Sequence, residues 1–209
     1  MTPRDYIKDP AEIYRQSFAV IEEEAELSLL PPWLQPVARR MIHACGMTDL
    51  AADLAWSGDP VDAARIALSE AAPILCDAQM VASGLIRDRL HGNEIVCLIG
   101  DARVPDLARD LGTTRSAAQI ELWRDRLAGS VVVIGNAPTA LYHLMELIES
   151  GGPRPAALFA FPVGFVGARE SKDDLIASNL SVPWLTLRGR RGGSAIAAAA
   201  INALKDAVA

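Results

Sequence analysis

The chain has 209 residues, of which 51% are hydrophobic and 22% charged; that is the composition of a globular protein able to bury a core without staples, and it excludes disordered, collagenous and coiled-coil classes. Twenty basic against 26 acidic side chains leave a formal charge of −6, and aromatics make only 5%, so nucleic acid is excluded as a partner for want of a basic face and of stacking rings. Cys45, Cys76 and Cys97 are dispersed and form no C-x-x-C, which fits a reducing cytoplasm rather than a disulfide framework or a zinc knuckle.

The opening MTPRDYIKDP has no apolar h-region, so no signal peptide is expected and a cytoplasmic location is. Asp9-Pro10-Ala11-Glu12 reads as a helix start: Asp9 caps, Pro10 takes the first helical position and Glu12 completes a capping box. Tyr14, Phe18, Ile21 and Ala25 follow at helical spacing. Pro31-Pro32 opens a second helix through Trp33, Val37, Met41 and Ile42 to a stop at Gly46. Two more helical stretches are predicted at about 48–56 and 60–71.

Near residue 72 the pattern changes. Short apolar runs at 73–76, 95–99, 131–134, 157–161 and 184–187 alternate with helix-length segments. Runs apolar at nearly every position suit strands buried on both faces, and repeated βα units predict a parallel sheet with right-handed crossovers. The longest uncharged run, 127–145, is broken by Gly135, Asn136 and Pro138; it reads as strand–turn–helix, not as a membrane span. An Ala-rich helix closes the chain over 193–209. The expected organisation is one domain over 1–209, a helical arm of 1–71 followed by a parallel α/β core of 72–209.

Ligands of open parallel sheets bind beyond the carboxyl ends of the strands. Those positions carry Asp77, Asp101, the turn Gly135-Asn136-Ala137-Pro138-Thr139, the segment 162–172 and the glycine-rich 188–194. Residues 1–60 carry a net charge of −5, whereas 161–194 carry Arg169, Lys172, Arg188, Arg190 and Arg191 for a net +2. A locally basic rim on an acidic protein points to a small anionic ligand, against the plain reading of solvated loop arginines. The turn at 135–139 suffices as a strand-to-helix corner; backbone donors facing a ligand would be an addition. There is no G-x-G-x-x-G after a strand, no P-loop and no G-x-S-x-G, so nucleotide cofactors and serine hydrolysis lose weight. His143 and Glu146 stand at i, i+3 but lack a third ligand, and no metal is expected. His43 lies in the last turn of the second helix, where the helix dipole favours a cation. Arg40, one turn earlier on the same face, would oppose that charge unless an anion neutralises it; such an anion would leave His43 free to donate a proton. Spacing alone favours a packed core histidine.

Several stretches together resemble the precorrin-8X methylmutases and their anaerobic relatives, the cobalt-precorrin-8 methylmutases. They are Arg40-Met41-Ile42-His43-Ala44-Cys45-Gly46, Thr114-Arg115-Ser116, Gly135-Asn136-Ala137-Pro138-Thr139, Pro162-Val163-Gly164-Phe165-Val166-Gly167-Ala168 with Glu170-Ser171-Lys172, and Gly189-Arg190-Arg191-Gly192-Gly193-Ser194. The resemblance implies a three-layer α/β/α, flavodoxin-like fold and a homodimer with sites near the subunit interface. It implies a cobalamin-pathway isomerase that moves the C11 methyl of precorrin-8X to C12 by a suprafacial 1,5-shift, giving hydrogenobyrinic acid, with no organic cofactor or catalytic metal. The family's essential histidine falls on His43.

A sigmatropic shift needs no nucleophile; it needs an acid that protonates or tautomerises the ring, and a site that holds the reactive conformer. His43 is assigned as that acid. Arg40 and Arg115 are candidate partners for the substrate carboxylates, with Thr114 and Ser116 beside Arg115, and Asn136 and Lys172 at the strand ends. Tyr14 and Ser17 on the first helix are candidates to cover the ring, from the same or the partner subunit. Three alternatives stand beside this. One is the cobalt-bound substrate with the same fold. Another is a non-catalytic corrinoid carrier that holds the product for hand-over to a neighbouring pathway enzyme. The third, a receiver-type module, would need a clustered acidic Mg²⁺ pocket, for which Asp77 and Asp101 alone are in view.

Overall fold

A computed structural model of the chain describes residues 4–205; the end of the predicted last helix, 206–209, lies outside them. Helix α1 (Pro10–Glu24) starts where the Asp9 side chain accepts the Ala11 N–H at 2.9 Å, with Pro10 in the first turn. The expected capping box does not form. Glu12 is bound instead by Arg15 and Gln16 of its own helix, since a guanidinium is a stronger donor to a carboxylate than a backbone N–H. After a turn at residues 31–34, α2 (Gln35–Cys45) runs to Gly46, whose left-handed φ of 69° lets its N–H return to the Ile42 carbonyl at 2.7 Å.

The segment 48–56, expected as helix, is corrected. Thr48–Asp53 is a 3-10 turn, and Leu54–Ser57 is a strand, β1. It pairs antiparallel with the last strand, Leu54 opposite Leu187 and Ser57 opposite Trp184. Helix α3 (Pro60–Ser69) follows, capped by Asp59 on the Asp62 N–H at 2.9 Å.

From there strands and helices alternate as predicted: β2 (Ile74–Cys76), α4 (Gln79–Gly84), β3 (Ile95–Val96), α5 (Val104–Asp110), α6 (Arg115–Glu121), α7 (Arg124–Leu127), β4 (Val131–Ile134), α8 (Pro138–Glu149), β5 (Ala157–Ala160), α9 (Ala168–Ala177), β6 (Trp184–Leu187) and α10 (Ser194–Asn202). The sheet order is β1-β6-β5-β4-β2-β3, parallel except for β1. Without β1 the order of the parallel strands is second, first, third, fourth, fifth, the flavodoxin-like order.

Alternate strand residues enter opposite cores, which explains the unbroken apolar runs. Ile74, Cys76, Val131, Val133 and Phe159 pack under α2, α3, α4 and α10. Leu75, Val132, Ile134, Leu158 and Ala160 pack under α6, α8 and α9. Each such Leu, Ile or Phe removed from water stabilises the fold by about 1.5–3 kcal/mol. The result is three layers with the α1–α2 hairpin on one outer face. Among the described residues no helix is long and apolar enough to cross a membrane.

Candidate functional site

The inward face of α2 is Val37, Ala38, Met41 and Ile42, all buried. Its period leaves Arg39, Arg40 and His43 on the outward face, where α1 lies. Helix α1 buries only Ile21 along its length, so polar pairs hold it in place. Glu22 pairs with Arg39, and Arg40 donates to the Tyr14 hydroxyl at 2.7 Å. Ser17 Oγ meets His43 Nδ1 at 2.8 Å. The Tyr14 and Phe18 rings flank the imidazole, with centroids 5.5 and 5.1 Å away.

His43 is exposed, not a packed core residue. With Nδ1 on Ser17, Nε2 makes no hydrogen bond among the described residues. The imidazole borders two grooves. One, about 410 Å³, lies between α1 and the end of α2, lined by Ile13, Ser17, Val20 and Gly46. The other, about 290 Å³, lies between α2 and α10 and has a floor of small side chains, Ala44, Gly84, Ala195, Ala198 and Ala199, with Arg40 at its edge. A Cβ on Gly84 would come within 2.7 Å of the Ala198 methyl, so that floor has no room for larger residues. A held imidazole beside a floor of small side chains and a guanidinium can hold an anionic ligand and pass it a proton.

Four sequence-predicted residues, Tyr14, Ser17, Arg40 and His43, are thus brought together. A second group collects at the strand ends. Thr114 caps α6, accepting the Ala117 N–H at 3.2 Å, and its hydroxyl meets that of Thr139 at 2.8 Å. Arg115 is exposed and Ser116 half-buried beside it. Asn136 stands half-buried in the turn after β4, but the backbone donors of that turn are not offered to a ligand. The Gly135, Asn136 and Ala137 N–H groups all donate to the Asp77 carboxylate, at 2.8, 3.0 and 2.8 Å. Burial pushes that carboxyl up and the three N–H bonds pull against it. Neither Asp77 nor Asp101 has the makings of a metal pocket, since Asp101 is paired with Arg103. His143 bonds Glu121 of α6 at 2.7 Å rather than Glu146.

Lys172 is corrected as a ligand contact. Its side chain is fully buried beneath the strand-end loops, and Nζ donates to the Arg191 carbonyl at 2.5 Å. The basic rim narrows accordingly. Arg191 is held by Asp49 and Asp53 and Arg169 by Asp173, leaving Arg188 exposed and Arg190 stacked over Phe165 at 5.4 Å. The sequence could not single out Arg191, because its carboxylate partners in the 3-10 turn are about 140 residues away.

Burial lowers the Lys172 ammonium to about 8 from its usual 10.5, with Asp173 and Asp53 opposing in part. Between those values the unfolded chain keeps a proton that the fold has released, so stability rises with pH through that window; below about 8 the fold carries the whole cost of the buried charge. Lys172→Met should therefore be the more stable protein at pH 7, by up to about 3 kcal/mol less the lost bond. Urea unfolding should show wild type closing the gap by pH 10. Parallel pH curves for the two proteins would refute the account.

The family model for precorrin-8X methylmutase matches residues 12–207. A precorrin-8X methylmutase of Pseudomonas aeruginosa is 56% identical over 201 residues, covering 96% of this chain and 97% of that one. One of Sinorhizobium sp is 53% identical over 98% of both. A cobalt-precorrin-8 methylmutase of Leptospira interrogans is 37% identical over 92% of this chain and 91% of its own. The crystal structure of precorrin-8x methyl mutase from Thermus thermophilus superposes with a TM-score of 0.84 at 39% identity, covering 94% of this chain and 95% of that one.

Proposed function

The chain belongs to the precorrin-8X methylmutase family, isomerases of cobalamin biosynthesis, and on that premise we propose that it moves the C11 methyl of precorrin-8X to C12 with His43 as the acid. The observation that carries this is the imidazole itself: exposed, held through Nδ1 by Ser17, flanked by two rings, and bordering two grooves. The proton passes from Nε2 to the macrocycle, weakens the bond to the migrating methyl, and returns once the methyl has moved, so the reaction is a net isomerisation. No nucleophile or resident cofactor enters it. Arg40 and Arg115 neutralise substrate carboxylates, Tyr14 and Ser17 cover the ring, and Thr114, Ser116 and Asn136 lie along its edge.

Metal-free precorrin-8X is the favoured substrate, since relatives described by that name match at 56% and 53% against 37% for a cobalt-precorrin-8 enzyme. Purified protein given precorrin-8X should develop the hydrogenobyrinic acid spectrum, and faster than it converts the cobalt complex. Binding without conversion would establish the carrier reading instead. We take the whole chain as one methylmutase domain, working in the cytoplasm as a homodimer that hands its product to the next pathway enzyme. Three unpaired cysteines suit that compartment, and the exposed Ile13 and Val20 on α1 suit a subunit contact.

Arg115 is exposed at the start of α6, so its charge acts on substrate and transition state alike. Arg115→Ala should raise KM or product Kd while leaving kcat near wild type. Unchanged product affinity removes Arg115 from the binding set.

A further inference from the structure

We propose that Arg191 is a positioning residue for His43, the joint that sets two of the three walls around the imidazole. This rests on the reading of His43 as the acid. Arg191 sits in the glycine-rich loop between β6 and α10. Its Nη1 donates to both Asp49 oxygens, at 2.9 and 2.8 Å, and lies 3.9 Å from Met47 Sδ. Its Nη2 donates to Asp53. Its backbone carbonyl accepts from the buried Lys172 ammonium of α9. One residue thereby ties the loop, α9 and the 3-10 turn that follows α2.

The base from which the guanidinium reaches is stiff. Gly193 N–H bonds the Phe161 carbonyl at 2.9 Å, and Gly164 N–H bonds the Arg190 carbonyl at 3.3 Å. A Cβ on Gly192 would lie 2.4 Å from the Phe161 carbonyl oxygen, so the loop has a single close path. What it holds is the chain just past the end of α2. His43 stands three residues before Gly46, the lone left-handed cap on which α2 ends. Met47, Asp49 and Asp53, all held by Arg191, come directly after that cap. On the other side of the groove, α10 begins at Ser194, three residues past Arg191, and supplies the Ala195, Ala198 and Ala199 floor. The third wall, α1, rests on α2 with one buried side chain and follows wherever α2 goes.

A purely structural tie would show in stability. Asp49 is mostly exposed, and exposed ion pairs contribute little to folding. The two-pronged fork instead fixes direction. A misplacement of roughly 1 Å at a reacting group costs about 10²-fold in rate.

The test is Arg191→Gln in the full-length protein, with ¹⁵N-labelled histidine; the chain has three histidines, His43, His91 and His143. The expected result has three parts. The His43 ring resonances move or broaden while those of His91 and His143 stay. Turnover at saturating precorrin-8X falls about 10- to 100-fold with product Kd within about threefold. In a His43→Asn background, Arg191→Gln adds almost nothing, as two residues acting through one group must. An unmoved His43 signal, or the same fold-loss in the His43→Asn background as in wild type, overturns the proposal. If Arg191→Gln does not fold, Asp49→Ala with Asp53→Ala removes the same contacts from the other side, and the same outcomes decide. Should His43→Asn alone keep full turnover, the acid reading fails, and the ring resonances still show whether Arg191 places His43.

Discussion

His43→Asn is expected to cut conversion of precorrin-8X by about 10²- to 10⁴-fold or more while hydrogenobyrinic acid still binds. Asparagine keeps size and polarity and can still meet Ser17, so the local geometry survives; it cannot lend a proton at neutral pH. The floor of small side chains between α2 and α10 and Arg40 at its edge are untouched, so affinity for the product stays. The competing account, a histidine that packs, makes the reverse forecast, and the exposure of the side chain sharpens the contrast. An exposed residue with one side-chain hydrogen bond has little packing to lose, so the thermal midpoint of His43→Asn should stay within about 2 °C of wild type. The informative measurement is single-turnover absorbance at saturating substrate beside product titration. A folded His43→Asn protein that converts precorrin-8X at near wild-type kcat ends the assignment.

The parts of the fold that are legible in the sequence are those whose signal is local. The five parallel strands show as apolar runs because two cores claim alternate residues of each, as at Ile74, Leu75 and Cys76. Gly46 and Pro138 mark helix ends because their backbone preferences act within a turn of themselves. Strand β1 is not legible in this way. Leu54, Ala55 and Trp56 have helix-compatible spacing after Thr48–Asp53, and they become strand only because the exposed edge of β6, some 130 residues later, offers its hydrogen bonds. The capping box fails for a related reason: Glu12 has three partners within reach, and the sequence does not rank them.

Site residues divide along the same line. Tyr14, Ser17, Arg40 and His43 share outward faces of two consecutive helices, so helical period brings them together. Lys172 is misread because a lysine in a motif between glycine-rich loops looks like an anion contact. Its burial depends on how loops 162–167 and 188–194 close over α9, which no spacing reports. Arg191 is visible as a basic residue, yet its partners Asp49 and Asp53 lie in the stretch read as helix, where they would have counted as solvated acids.

Asp77 is the residue whose loss should harm the fold most. It directly follows β2, is fully buried, and accepts three backbone N–H groups from the turn that leads from β4 into α8. Its own carbonyl accepts from the buried Gln119 amide at 2.7 Å, so strand ends β2 and β4 and helix α6 converge on it. Two oxygens face donors, Oδ1 toward Gly135 and Oδ2 toward Asn136 and Ala137, and that requirement fixes the chemistry. An amide has one oxygen, so Asp77→Asn must turn an NH₂ group against at least one N–H; it should cost about 2–4 kcal/mol, and Asp77→Ala, which strands all three donors, about 3–5 kcal/mol or more. For a chain of this length that corresponds to a midpoint lower by roughly 5–15 °C. Gly135 leaves no slack for the turn to relax, since a Cβ there would already lie 2.6 Å from a Val81 methyl. Released, the turn would carry Asn136 and the start of α8 with it, and through the Thr114–Thr139 bond the cap of α6 beside Arg115. Product affinity should therefore weaken along with stability in whatever fraction still folds. Denaturant unfolding of wild type, Asp77→Asn and Asp77→Ala settles the matter: an asparagine variant within about 0.5 kcal/mol of wild type would show that the turn holds itself without the carboxylate.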